Sequence, residues 1–407
     1  MTRLRDLGDW SGGNTPSKAN AAYWSDGTVP WVSPKDMKVD EITSSEDRVS
    51  EAALKQGRIS MVPEGSVLVV TRSGILSHTL PVAVTKTPVT INQDLKALTP
   101  KPDVLPKYVA HALRGASQRI LKECSKHGTT VASIETNALL DFEIPLVDVD
   151  EQRRIVAELE KHFSRLDEAV ANLKRVKANA ARLVASVLVE ATLGRLIQHS
   201  REAWRTVKVC EAGEVLLGRQ RAPQYLTGRW SRKYLRVANI KDDVIDFTDV
   251  ETMDFDGAHF RKYRLEPGDI LVSEGQSPEL LGQSAIFRGY DEPLCFQKTL
   301  HRFRADPEMT TPEFAQIVFR SHVRSGVFRR LGSITTNIGH LTLEKFKAAP
   351  FPLPQLEEQH RIVAEVDRRL SIVREVEAEV DANLERAQAL RQAVLARAFG
   401  GLERGRD

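Results

Sequence analysis

The sequence predicts an α+β protein: two similar mixed α/β domains joined by two long antiparallel helices that form a coiled coil, with pseudo-two-fold symmetry. Three observations predict it. The stretch Glu151-Gln152-Arg153-Arg154-Ile155-Val156-Ala157-Glu158-Leu159 returns as Glu358-Gln359-His360-Arg361-Ile362-Val363-Ala364-Glu365-Val366, an offset of 207 residues, changed only at Arg153/His360 and Leu159/Val366. Each copy follows a proline-ended strand signal, Ile144-Pro145-Leu146 and Phe351-Pro352-Leu353-Pro354, and opens a segment nearly free of Pro and Gly. The segments ahead of the two copies also share an outline. A period this long means duplicated domains, not a solenoid.

Residues 1–150 read as the first globular domain. Gly12-Gly13-Asn14 and Asp26-Gly27 are turn signals, and Val29–Val32 and Ser66–Thr71 carry the β-branched composition of strands. Pro106 to Cys124 reads as one helix, apolar at Tyr108, Val109, Ala112, Leu113, Ile120 and Leu121. Residues 151–200 form the first spacer helix. Its apolar seam runs Leu159, Phe163, Leu166, Val170, Leu173, Lys177, Ala180, Val184, Val187, Ala191, a heptad pattern with one polar intruder, and Gly194 ends it. Residues 201–356 repeat the first domain: Leu7-Gly8-Asp9 returns as Ala212-Gly213-Glu214, the strand signal Ser66–Val69 as Asp269–Val272, Gln93 as Gln297, and Thr129-Thr130 as Thr335-Thr336. Residues 357–407 form the second helix, with the seam Ile362, Val366, Leu370, Val373, Glu377, Val380, Leu384, Ala387, Arg391, Val394. Neither seam can be left in water, so the helices are expected to pair. Helix one leaves the first domain and helix two must return from the second, which makes the pair antiparallel.

The totals narrow the function classes. The net charge of the 407 residues is +3, and residues 1–150 carry 17 basic against 18 acidic side chains, so any polyanion contact must come from local clusters. The start lacks the apolar run of a signal peptide, and no run is long enough to cross a membrane. Cys124, Cys210 and Cys295 lack metal spacing and fit free thiols in a reducing cytoplasm. There is no Gly-x-Gly-x-x-Gly, no phosphate-binding Gly-Lys-Ser/Thr loop and no Asp/Asn-Pro-Pro-aromatic run, so no cofactor and no catalytic residue is assigned to the chain. Gly275-Gln276-Ser277 lacks the full frame of a nucleophile turn.

The whole arrangement, from about Leu4 to Leu402, resembles the DNA-specificity subunits of Type I restriction–modification enzymes. The resemblance is carried by Pro30-Trp31-Val32, Thr71-Arg72-Ser73-Gly74, Asn92-Gln93-Asp94-Leu95-Lys96-Ala97, Gly128-Thr129-Thr130, and the proline-then-Glu-Gln opening of each helix. In the second half it is carried by Gly218-Arg219-Gln220-Arg221, Leu235–Asn239, Pro267–Val272 and Thr335-Thr336-Asn337. Val147-Asp148 departs from the family's usual Pro-Pro. The resemblance implies two target-recognition domains that read a bipartite, asymmetric site on double-stranded DNA, with helices that set the gap. It implies two methyltransferase subunits using S-adenosylmethionine, and two restriction–translocase subunits using ATP and Mg, all outside this chain. The alternative is a coiled-coil tether that binds protein without reading DNA.

The candidate DNA-binding residues are few. Residues 219–236 hold Arg219, Arg221, Arg229, Arg232, Lys233 and Arg236 without one acid, interleaved with Tyr225, Trp230 and Tyr234. Arginine can clamp guanine edges or hold phosphates, and Gln220 and Asn239 can pair with adenine. Asn239 reads equally as a turn cap. Gln276 sits in a Gly-flanked loop after a strand. In the first domain Arg72-Ser73 leads, with pairing to a carboxylate such as Asp94 as the structural reading of Arg72; Lys35 is a phosphate candidate. Asn92-Gln93-Asp94 is read as framework because Gln93 recurs as Gln297, and Lys298 beside that framework is a weaker contact candidate. Arg153, Arg154, His360 and Arg361 open both helices, where the dipole disfavours cations, and are read as partner or phosphate contacts.

Overall fold

The computed structural model describes the chain apart from residues 57–58, 127–130, 198–203, 336 and 405–407, and the side chains of 403 and 404. The motif residues Gly128, Thr129 and Thr130, and Thr336 in the second copy, lie outside the described residues. The chain divides into two compact units, residues 1–173 with 382–407, and residues 174–381. These differ from a sequential division at 150, 200 and 356 because each unit takes part of both long helices.

The first unit is built on a five-stranded sheet in the order Gly8–Gly12, Leu95–Pro100, Val67–Val70, Val82–Thr85, Glu41–Ile42. Val67–Val70 is buried at every position, as a strand covered on both faces must be. A second sheet has the order Asp47–Val49, Val29–Val32, Thr90–Ile91. The expected helix from Pro106 is two helices, Pro106–Gly115 and Ser117–Glu123. The break at Ala116 lets the buried Ser117 hydroxyl accept the Leu80 N–H at 3.1 Å.

The second unit repeats four of the five main-sheet strands and all three strands of the small sheet. Its main sheet runs Gly213–Leu217, Leu300–Ala305, Ile270–Ser273, Ser284–Ile286, and its small sheet runs Glu251–Asp254, Ser231–Leu235, Cys295–Phe296. Registers match too: Gly8 faces Pro100 as Gly213 faces Ala305, and Val32 faces Ile91 as Leu235 faces Phe296.

The long helices span Val149–Thr192 and Leu356–Arg404. In the first unit Ile155, Val156, Leu159 and Phe163 share a core with Leu395 and Phe399, so the start of one helix lies by the end of the other. In the second unit Val187, Leu188 and Ala191 share a core with Ile362, Val366 and Leu370. The pairing is therefore antiparallel in both units. Every seam position of helix one is buried or half-buried except Lys177, which reaches Asp381 at 2.6 Å. Arg391, an intruder of helix two, lies over the Phe163 ring at 4.6 Å and meets Asp167 at 3.0 Å. The two basic intruders, Lys177 and Arg391, thus each find a carboxylate, as polar seam residues that fix register do.

The repeated Glu-Gln pair has a structural reason. Gln152 is buried; its Nε2 donates to the Asp103 and Val147 carbonyls at 3.0 and 2.8 Å, and its Oε1 accepts the Leu105 N–H at 2.8 Å. Gln359 donates to the Met309 and Pro354 carbonyls at 2.9 and 3.0 Å and accepts from the Thr310 hydroxyl and Thr311 N–H at 2.9 and 3.0 Å. Leu105 and Thr311 are the N-caps of the domain helices Pro106–Gly115 and Pro312–Arg324. Each glutamine therefore closes the orphan polar groups of a neighbouring helix end and bolts a long helix to its domain. Among the described residues, no helix is long and apolar enough to cross a membrane.

Candidate nucleic-acid interface

In each unit three loops leave beside one short turn that joins a strand of the small sheet to a strand of the main sheet. In the first unit that turn is Asn92-Gln93-Asp94. Asn92 is buried, takes the Val32 carbonyl through its N–H at 2.9 Å, and closes its own turn by accepting the Asp94 N–H at 3.0 Å. The Asp94 carbonyl accepts the N–H groups of Thr71 and Arg72 at 2.8 and 3.2 Å. Asn14 donates its N–H to the Ile91 carbonyl at 3.0 Å. The loops at Asn14-Thr15, Ser33–Lys35 and Arg72-Ser73 therefore leave the frame side by side.

The second unit follows the same plan with local changes: the Thr299 carbonyl takes one N–H where the Asp94 carbonyl takes two, and Gln297 closes its turn by accepting the Thr299 hydroxyl at 2.9 Å. Gln297 N–H reaches the Leu235 carbonyl at 2.9 Å, Arg219 N–H the Phe296 carbonyl at 3.2 Å, and Glu274 N–H the Thr299 carbonyl at 2.9 Å. The loops that leave here are Arg219–Arg221, Arg236–Asn239 and Gly275-Gln276. A glycine precedes the first loop in both units because the backbones nearly touch. A Cβ on Gly13 would lie 2.1 Å from the Asn92 carbonyl oxygen, and one on Gly218 would lie 2.2 Å from that of Gln297.

These bonds correct one expected equivalence. Asn92, not Gln93, is the counterpart of Gln297, since both take the carbonyl of the neighbouring parallel strand and both cap their own turn. Gln93 is the counterpart of Lys298, and both side chains are exposed. Likewise Thr15 matches Gln220, and Ser73 matches Gln276, the latter because Ser73 N–H bonds the Ala132 carbonyl where Gln276 pairs with Gly339.

Two DNA-contact candidates prove to be framework. Arg219 is 7% exposed, donates to the Asp254 carbonyl, and lies over the Tyr225 ring at 4.1 Å, so a duplex has no access to its guanidinium. Asn239 is 2% exposed; it accepts the Arg236 N–H at 2.9 Å and donates to the Asp246 and Asp249 carbonyls at 2.9 Å each. It is the cap of its turn, as Asp36 caps the Ser33 turn by accepting the Ser33 N–H at 2.9 Å.

The basic stretch 219–236 is also less bare than its sequence. The strand Glu251–Asp254 pairs with Ser231–Leu235 and brings carboxylates to it. Arg236 meets Asp249 and, at 3.0 Å, Glu251; Arg221 meets Glu251 at 3.6 Å; Lys233 meets Glu292 at 2.6 Å, which raises its pKa. Burial and the Glu251 carboxylate push the Tyr234 hydroxyl up to about 12, so it stays neutral. Lys35 sits between Asp47 at 2.9 Å and Glu46 at 3.3 Å; its hydrogen bond to Asp47 is the main cause of its raised pKa. That pair is exposed, and exposed pairs exchange partners at little cost.

Other candidates are open to an incoming ligand. Arg72 and Lys298 are exposed, and among the described residues no carboxylate lies within ion-pair range of either. Gln220 is exposed, and Gln276 is half-buried with its Oε1 accepting the Ser277 N–H at 3.2 Å. Ser73 caps the short helical turn that follows it. Arg229 lies over the Trp230 ring at 4.3 Å, and Trp230 is 46% exposed. Asp254 holds that loop by accepting the Thr227 hydroxyl at 2.6 Å and the Trp230 N–H at 3.0 Å, with its pKa lowered mainly by Thr227. This platform was visible in the sequence only as part of the basic, aromatic stretch.

The helix-start cations are exposed. Arg153 meets Asp150 at 2.8 Å and Arg154 forks onto Glu151 at 2.7 and 2.6 Å. Thus the acids at the helix start, which the dipole favours, hold the arginines. Arg361 is exposed, and His360 lines a groove of about 360 Å³ with Arg304 and Asp269. Among the described residues, no three His, Cys, Asp or Glu side chains are placed to hold a metal ion.

Fold and site together define a duplicated recognition scaffold: one hydrogen-bonded frame built twice, each copy presenting different side chains from the same loops. The chain belongs to the Type I restriction modification DNA specificity domain family, whose model matches residues 1–175 and 203–386. It is 41% identical over 167 residues to the Type I restriction enzyme EcoR124I/EcoR124II specificity subunit of Escherichia coli, a match covering 41% of each chain. It is 26% identical over 317 residues to the StySPI specificity subunit of Salmonella potsdam, covering 75% of this chain and 67% of that one. A solved chain from work on complex assembly and conformational transition of the type I R-M system shares the fold with a TM-score of 0.71 at 19% identity, covering 98% of this chain and 96% of its own.

Proposed function

We propose that this chain is the DNA-reading subunit of a Type I restriction–modification complex and carries no catalysis itself. Each domain reads one half of a bipartite, asymmetric duplex site, and the paired helices fix the gap. The observation that carries the reading is the duplicated frame: matching backbone bonds at Val32/Leu235, Ile91/Phe296 and Asp94/Thr299, with Gln93 against Lys298, Thr15 against Gln220 and Ser73 against Gln276 at the same places. Arg72, Arg221, Lys298, Lys35 and Arg236 supply phosphate or guanine contacts, and Gln220 and Gln276 contact base edges. Arg153, Arg154, His360 and Arg361 face protein partners. Those partners are two methyltransferase subunits, with S-adenosylmethionine, and two restriction–translocase subunits, with ATP and Mg. Such a complex works in the cytoplasm, where the chromosome is.

Single-molecule methylation sequencing of DNA from cells that carry this chain and its neighbouring methyltransferase subunit tests the reading. The expected result is a two-part motif with a fixed gap, methylated on adenine on both strands, of which one half changes when residues 1–150 are exchanged. No new motif, with the methyltransferase present and folded, would overturn it. So would methylation by the purified chain alone.

A further inference from the structure

We propose that Gln93, oriented by Thr15, reads a base pair, an adenine, in the first half-site, from the place where Lys298 stands in the second domain. This rests on the DNA-reading function proposed above. The argument starts from the frame. Asn92 and Gln297 use their side chains to close the turn, and their backbones to join the parallel strand. Asp94 and Thr299 use their carbonyls to hold the next loop. The side chain of the residue between them has no such duty, although the Lys298 N–H bonds the Arg219 carbonyl at 2.8 Å. That side chain is exposed in both domains and projects from a turn fixed on both sides.

The chemistry at that place differs between the copies. In the first domain the Thr15 hydroxyl donates to Gln93 Oε1. That bond sets the plane of the amide and, among the described residues, leaves one lone pair on Oε1 and both Nε2 protons free. One acceptor and one donor side by side match the N6 amine and N7 of adenine in the major groove. Thr15 is itself fixed, since its N–H bonds Asn14 Oδ1 at 2.9 Å, and the Asn14 carbonyl accepts the Trp31 indole N–H at 3.1 Å. In the second domain Lys298 offers donors only, which suit guanine O6 and N7 or a phosphate, and Gln220 stands where Thr15 stands. Arg72 leaves the frame one hydrogen bond away, through the Asp94 carbonyl, and supplies the cation beside Gln93. The one-letter likeness of Gln93 to Gln297 hid this, because it assigned Gln93 the framework role that Asn92 performs.

The test compares the methylated motif of cells carrying the chain, Gln93→Ala or Gln93→Lys, each with the same methyltransferase. Gln93→Ala is expected to make one position of the first half-site degenerate, with methylation of the original site slower by about ten-fold or more. Gln93→Lys is expected to shift that position toward guanine, and Thr15→Val to weaken the same position less. The second half-site stays unchanged in all three, and thermal stability stays within experimental error because the side chain is exposed. If the unsubstituted chain gives a bipartite motif and Gln93→Ala retains every base of the first half at full rate, the inference is overturned while the function stands. If Gln93→Ala degrades both halves equally, Gln93 is a structural residue and the inference is also overturned. If the unsubstituted chain gives no motif, the function fails and takes this inference with it.

Discussion

Replacing Gln359 with methionine keeps the length and volume of the side chain and removes its four hydrogen bonds. The side chain is fully buried. The substitution strands the Thr311 N–H and the carbonyls of Met309 and Pro354, and leaves the Thr310 hydroxyl only its long contact with the Thr311 carbonyl at 3.4 Å. A buried group left unpaired costs about 1–3 kcal/mol. Three stranded groups set the scale, and the Thr310 hydroxyl adds little. The expected loss is roughly 3–4 kcal/mol, equivalent to roughly 6–16 °C in Tm for a unit of this size. Gln152→Met breaks three bonds in the first unit and should cost roughly 2–3 kcal/mol. Urea titrations followed by circular dichroism measure both, with Gln355→Met, at an exposed neighbour, expected within about 0.5 kcal/mol of the parent. Hydrogen exchange should localise the Gln359→Met loss to the segment around Met309–Pro312. A loss below about 1 kcal/mol at Gln359, with an unchanged dependence on urea, would refute the claim that the repeated glutamines bolt helices to domains.

Acid should destabilise both units through buried histidines. Burial pushes His111 and His301 down to about 4 from the ordinary 6.5, and His301 donates from Nε2 to the Leu341 carbonyl at 2.7 Å while its Nδ1 has no partner. The unfolded chain binds these protons near pH 6.5 and the folded chain only near pH 4, so stability is full above about 6.5, falls as pH drops, and levels off near 4. Each histidine contributes on the order of 3 kcal/mol to that slope; His301→Gln should flatten it in urea titrations between those values, and an unaltered slope would count against the assignment. Gly218→Ala and Gly13→Ala should each cost about 1–3 kcal/mol by forcing the backbones apart, seen as a lowered melting temperature, whereas Gly74→Ala, which meets nothing within 4 Å, should be close to neutral.

The helices and the duplication were legible because both signals are local and repeated. A seam of ten positions at heptad spacing leaves few alternatives, and the Glu-Gln pair recurs at a constant offset because a helix tolerates no insertion in its seam. The domains were harder for the same reason reversed. The offset between copies is 203 at Val67 and Ile270 but 205 at Gly13 and Gly218, since loops absorb insertions. An alignment by letters therefore matched Gln93 with Gln297, one residue out of register. The charge of residues 219–236 misled in another way. A stretch free of acids in sequence meets Asp249, Glu251, Asp254 and Glu292 in space, and only strand pairing reveals them. Burial of Arg219 and Asn239 was invisible for the same reason, because their partners are carbonyls whose positions no side-chain pattern records.

The division of labour within this turn shows how one architecture can present two different sets of exposed side chains. The frame bonds at 92–95 and 297–300 are mostly backbone to backbone, and backbone bonds do not depend on residue type. The side chains that do serve the frame, Asn92 and Gln297, differ in length yet perform one task, because each needs only an acceptor near the next turn. The intervening position is released from stability and can change freely. Arg219 shows the opposite case. Its guanidinium is committed to Asp254 and Tyr225, and the counterpart Asn14 needs neither, so that position diverged by acquiring a different set of structural partners. Divergence alone therefore does not mark a reading residue. Exposed side chains that differ between the copies on a backbone-bonded frame, Gln93 and Lys298, are the ones to which base reading is proposed, rather than the buried Arg219.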